Sequence, residues 1–149
     1  MSLPPISIEQ NNIIEQIALN NNVIVDSVAG SGKTTSNLHI ASFFNNLNIL
    51  LLTYNSKLKV ETREKIKNHN ITNVEVHSYH SFCVKYYNKK CFTDTVIKKV
   101  LKNKTKPLTS FNYDLIVLDE GQDITCLYFE LVCKIYKDNK NINTQLCIF

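Results

Sequence analysis

Apolar positions in this chain fall into two rhythms. Unbroken or nearly unbroken apolar runs occur at Val23-Ile24-Val25, Ile49-Leu50-Leu51-Leu52-Thr53, Leu115-Ile116-Val117-Leu118 and Gln145-Leu146-Cys147-Ile148-Phe149, with a shorter one at Val74-Glu75-Val76. Such runs suit strands of a parallel sheet buried on both faces. Between them apolar residues recur every three or four positions, which marks one face of a helix. Ile13, Ile14, Ile17 and Ala18 form such a stripe in a helix from Ser7 to about Asn20, opened by the capping box Ser7/Gln10. A second helix is expected from Thr34 to about Asn46, with Leu38, Ala41 and Phe44 toward the core. A charged helix follows Lys57 and runs to about Asn68, and Ser78 to Phe82 lead into another that ends near Tyr87. The lysine-rich stretch from Lys89 to Thr109 holds a helix at Asp94 to Lys102, closed by Pro107, and Leu127, Leu131 and Ile135 define the last one. Strands alternating with helices predict an α/β fold with a mostly parallel sheet. No repeat or flexible linker divides the sequence.

Composition narrows the class. The 149 residues are 44% hydrophobic and 20% charged, ordinary for a soluble globular domain. No apolar run is long enough to span a bilayer, and Met1 to Pro5 lack the features of a signal peptide. A net charge of +4 permits a polyanionic partner without demanding one. Five cysteines, Cys83, Cys91, Cys126, Cys133 and Cys147, show no CxxC spacing, which argues against a disulfide framework or zinc ribbon and for a reducing compartment. His77, His80 and Cys83 are spaced HxxHxxC but lack a fourth ligand nearby, so a metal there is not expected.

Two stretches carry chemistry. Val23 to Thr35, VIVDSVAGSGKTT, reads as strand, glycine-bearing turn and helix start, the pattern of a phosphate-binding loop. Ser27 stands where the first glycine is usual. Backbone N–H groups around Ala29, Gly30, Ser31 and Gly32, with Thr34 and Thr35 opening the helix, would cradle phosphates. Lys33 would reach the β- and γ-phosphates, and the Thr34 hydroxyl would ligate Mg²⁺. Gln10 is a helix cap and a candidate for reading adenine. The second stretch is Leu115 to Asp123, an apolar strand that delivers Asp119-Glu120-Gly121-Gln122-Asp123 at its carboxyl end, where ligands of open α/β sheets bind. Asp119 would hold Mg²⁺ through water, Glu120 would orient or deprotonate an attacking water, and Gln122 would sense the γ-phosphate.

With these motifs the chain resembles the superfamily 1 DNA helicases of the UvrD/Rep type and is similar to the F-box DNA helicase branch among them. Ile6 to Gln10 looks like their Q motif, Ala29 to Thr35 like motif I, and Leu52 to Lys65 like motif Ia. Ser78 to Phe82 is similar to motif Ib, with serine where threonine is common, and Asp119 to Asp123 to motif II, with Gly121 where alanine is usual. The resemblance implies a RecA-like phosphate-loop NTPase core that binds ATP and Mg²⁺ and grips single-stranded DNA. It implies 3′ to 5′ translocation, and an intracellular setting, cytoplasmic or nuclear or in a viral factory. Tyr54 takes the place of an aromatic that stacks on a base. Thr53, Asn55, Ser78 and His80 would contact phosphates or sugars. The lysines and tyrosines from Lys85 to Lys90 would follow a nucleic-acid backbone.

Members of that family are several times longer. By the resemblance, residues 1–149 are expected to be part of the first RecA-like domain, cut before its last strands, with a short insertion at about 88–110. The second RecA-like domain, with its site-completing arginines, would be missing, leaving a fragment of low activity. Two other classes remain open: a stand-alone phosphate-loop NTPase or kinase, and a non-catalytic module that binds nucleic acid or protein.

Overall fold

The computed structural model describes residues 2–26 and 32–149. Six helices and five strands alternate along the described chain: α1 (Ile8–Ala18), β1 (Val23–Ile24), α2 (Lys33–Phe43), β2 (Ile49–Thr53), α3 (Ser56–Asn68), β3 (Val74–Ser78), α4 (Tyr79–Tyr86), α5 (Asp94–Lys102), β4 (Leu115–Leu118), α6 (Cys126–Asp138) and β5 (Gln145–Ile148). The strands form one sheet in the order β1-β5-β4-β2-β3, and every pairing is parallel. The chain is α/β, consistent with a RecA-like phosphate-loop domain.

The sheet is buried on both faces because its apolar runs alternate sides. Leu50, Leu52, Ile116 and Leu118 point into a cluster with Phe82, Ile97, Leu131 and Ile135, which belong to α4, α5 and α6. Ile49, Leu51, Leu115 and Val117 point the other way, toward Ile14, Ile17, Leu38, Ala41 and Ile66 of α1, α2 and α3. The chain thus crosses the sheet on one face from β1 to β3 and returns on the other to β5. The stretch at about 88–110 contributes α5, whose Ile97 and Val100 are buried in the first cluster.

Element boundaries differ from the expected ones in small, explicable ways. The Ser7/Gln10 capping box forms as written, but Ala18 at the end of α1 is exposed, so the stripe stops at Ile17. α2 ends at Phe43 rather than near Asn46, because Phe44 leaves helical geometry and the chain turns toward β2. β3 extends two residues past Val76, since His77 and Ser78 continue the pairing with Leu52 and Thr53.

Candidate functional site

The carboxyl ends of β1 and β4 face the same rim of the sheet, with β5 between them. The sites proposed for Ala29, Gly30 and Ser31 lie outside the described residues. Gly32 begins the visible half of the turn. It takes a left-handed conformation, φ 82° and ψ 25°, which only glycine enters without strain. It is the N-cap of α2 and offers no side-chain cap, so the first N–H groups of that helix are not claimed by a capping side chain. Gln10 closes the other side: its Nε2 lies 3.6 Å from where a Cβ on residue 32 would sit. Its Oε1 accepts from the Ser7 backbone N–H at 3.0 Å, so the amide is held with its NH₂ end toward the turn.

Lys33 opens α2 and is almost wholly buried. Its Nζ donates to Glu120 Oε2 at 3.2 Å, which joins the β1 and β4 rims directly. Asp119 and Glu120 reach this point by different means. Asp119 continues β4, its N–H donating to Leu52 O at 2.9 Å, and its side chain is buried. Glu120 turns out of the strand in a left-handed conformation, φ 56° and ψ 48°. That conformation costs a non-glycine residue about 1–2 kcal/mol. Hydrogen bonds from Glu120 N–H to Asp119 Oδ1 and from Asp123 N–H to Glu120 O hold it. Gln122 Nε2 donates to the same Glu120 oxygen that Lys33 contacts.

Electrostatics single out Asp119. Burial is the main influence pushing its carboxyl above the usual range, and the neighbouring Glu120 charge adds to it. The Glu120 N–H and Lys33 pull the other way. A buried acid disfavoured in its charged form is relieved by a cation. The oxygen donors of Asp119 and Thr34 suit a hard divalent ion such as Mg²⁺. Beside Lys33 lies a cavity of about 540 Å³, bordered by Gln10, Asp26, Ser36 and Phe149 among others. Its size falls within the usual range for small-molecule and cofactor sites. The residues present therefore fit a nucleotide with its metal.

The second group of expected residues sits past the ends of β2 and β3. Tyr54 is 44% exposed. Asn55 is exposed and caps α3 by accepting from the Leu58 N–H at 3.0 Å. His80 is partly exposed and its Nε2 meets Asp94 Oδ1 at 2.8 Å. The side chains of Thr53 and Ser78 are buried and used internally. Thr53 Oγ1 donates to Asn55 O, and Ser78 caps α4 by accepting from the Ser81 N–H. The stretch from Lys85 to Lys90 is also only partly available. Tyr86 and Tyr87 are core residues, and Lys85 pairs with Glu75. His77 likewise has internal partners, Glu75 and Ser81, and no group of three or more potential metal-binding side chains (His, Cys, Asp, Glu) occurs among the described residues.

Sequence reasoning did not pick out Asp26, Ser36 or Phe149 at the nucleotide cavity. Ser36 lies one helical turn beyond Gly32, and its hydroxyl donates back to Gly32 O at 3.0 Å, a spacing visible in the sequence. Phe149 had no local signal, because only the pairing of β5 between β1 and β4 brings it there.

A family model described as an AAA domain matches residues 10–144. No curated protein matches the chain. Among the described residues, no helix is long and apolar enough to cross a membrane.

Proposed function

The chain belongs to the AAA domain family, as a P-loop ATPase domain related to UvrD-like helicases, and from that premise we propose that it is the ATP-binding motor domain of a superfamily 1 helicase acting on single-stranded DNA. The observation that carries the reading is the contact between Lys33 and Glu120 at the sheet rim, beside a cavity closed by Gln10.

In this reading Lys33 and the N–H groups at the start of α2 bind the β- and γ-phosphates. Thr34 and Asp119 hold Mg²⁺, which when bound neutralises charge shared by the phosphate oxygens. Glu120 accepts a proton from the attacking water, and its left-handed backbone aims the carboxylate away from the strand and toward Lys33. Gln122, tied to Glu120, responds when the γ-phosphate changes. Gln10 reads the base through its NH₂ group, since its oxygen already accepts from Ser7.

Nucleic acid would bind at the far side of the same rim, with Tyr54 stacking on a base and Asn55 and His80 near the backbone. Stacking of this kind contributes about 1–3 kcal/mol per base without regard to sequence. The two halves are mechanically close. The Asp119 N–H bonds to Leu52 O, two residues before Tyr54, so the metal-binding and DNA-facing segments leave the sheet from adjacent paired strands. A second core domain would complete the ATP site with arginines and enable unwinding, with 3′ to 5′ direction by the helicase likeness.

The test is fluorescence anisotropy of labelled single-stranded oligonucleotides with and without a non-hydrolysable ATP analogue. The reading expects salt-sensitive, sequence-independent binding that the analogue alters, and weaker binding by Tyr54→Ala. Nucleotide binding with no oligonucleotide binding at all would instead favour a stand-alone NTPase.

A further inference from the structure

Phe92 is an aromatic side chain with no role in the nucleotide site. It lies in the loop between α4 and α5 and is 71% exposed. It borders a groove of about 320 Å³ together with Ser56 and Lys59 of α3 and His80, Ser81 and Val84 of α4. The lining carries Lys59 and three serines, Ser56, Ser81 and the helix-capping Ser78, but no acidic residue, which suits an anionic chain rather than an acidic or purely apolar partner.

The groove begins two residues past Tyr54, at Ser56. Asp94 fixes the arrangement by accepting from His80 Nε2 and from the Tyr128 hydroxyl, each at 2.8 Å. The His80 ring meets Tyr128 edge-on at 5.7 Å. Phe92 lies two residues before the Asp94 anchor and Tyr54 two residues before Ser56, so exposed rings stand near both the Phe92 side and the Ser56 side of the groove. An exposed ring beside a cationic, hydroxyl-lined groove is the arrangement that holds stacked bases while a backbone passes alongside.

We propose that Phe92 is a second base-stacking platform, so that a single strand engaged at Tyr54 continues across the amino end of α4 to Phe92. The proposal rests on the single-stranded DNA reading above and extends its track to a residue outside the recognised motifs. Lys59 meets the strand's phosphates between the two rings.

Phe92 is exposed, so replacing it leaves the fold intact, which a melting curve verifies. Anisotropy titrations with oligo(dT) of increasing length compare wild type, Tyr54→Ala, Phe92→Ala and Phe92→Trp. The expected result is a loss of about 5- to 150-fold for Phe92→Ala on long oligonucleotides, with little change on those too short to pass Tyr54. The chain contains no tryptophan, so Phe92→Trp introduces a single indole, excited selectively apart from the tyrosines, whose emission is quenched when a base stacks on it. Unchanged affinity of Phe92→Ala, with no quenching in Phe92→Trp while Tyr54→Ala still weakens binding, overturns the proposal alone. Failure of the wild type to bind any oligonucleotide overturns the DNA reading and this extension with it.

Discussion

Lys33 Nζ and Glu120 Oε2 lie 3.2 Å apart, although 87 positions separate the two residues in the chain. The contact exists because β1 and β4 flank β5 in a parallel sheet, which brings the ends of two distant strands to one rim. In the proposed reading a buried lysine held by a partly exposed glutamate is a poised pair, since phosphate oxygens would compete for the lysine and release the carboxylate for proton transfer.

Glu120→Gln keeps the shape of this arrangement and removes its basicity. Nucleotide affinity is expected to change by only a few-fold, while ATP turnover falls by about 10²–10⁴, the usual contribution of a general base. Parallel binding and phosphate-release assays check both parts. Equal loss of affinity and turnover would place Glu120 in binding rather than chemistry.

Gly121→Ala tests how tightly the turn after β4 is seated. A Cβ at residue 121 would stand 2.5 Å from Ile148 Cγ2, at the end of β5, and 2.9 Å from Phe149 O, just past it. The Gly121 N–H already donates to Phe149 O at 2.6 Å, leaving little room to retreat. Destabilisation of about 1–3 kcal/mol is expected, read from denaturant unfolding.

Glu75 gives the fold a defined acid sensitivity. Burial alone would raise its pKa, but hydrogen bonds from His77, Lys85, Tyr113 and Tyr86 together outweigh it and hold the carboxyl far below its ordinary 4.5. The native state thus keeps Glu75 charged where the unfolded chain has already taken up a proton. Its stabilisation is present above about pH 4.5 and is lost as pH falls below that value. Glu75→Gln is expected to cost about 1.5–3 kcal/mol at pH 7. Melting temperatures of the two proteins should converge as the pH is lowered toward 3. A gap that widens in acid would contradict the assignment.

Thiol reactivity reports on the layers themselves. Cys126 and Cys133 on α6 are exposed, whereas Cys83, Cys91 and Cys147 are buried. Titration with a thiol reagent should find two fast cysteines in the native protein and five after denaturation. Fast reaction of Cys147 in the native state would mean that β5 is not seated between β1 and β4.

Much of this was legible beforehand because the signals are local. The Ser7/Gln10 capping box, the Leu115–Leu118 run and the spacing of Leu131 and Ile135 each specify an element without reference to the rest of the chain. The surroundings of Thr53 and Ser78 were not legible for the opposite reason. Their burial at the strand ends engages the Thr53 hydroxyl with Asn55 O and makes Ser78 the cap of α4, which depends on how β2 and β3 pair. Phe92, Phe149 and the partners of Glu75 escaped notice because each acquires its neighbours only through long-range packing. A charged residue in the Val74–Val76 run was the one hint of that last network.

The most direct test of the central claim is a calorimetric titration of Mg·ATP into wild type, Lys33→Ala, Asp119→Asn and the double variant. A single site around one triphosphate predicts at least a tenfold loss for each single change. It also predicts a double variant that loses clearly less than the product of the two, because both residues serve the same ligand. Undiminished affinity in either single variant, or strictly multiplicative losses in the double, would contradict it.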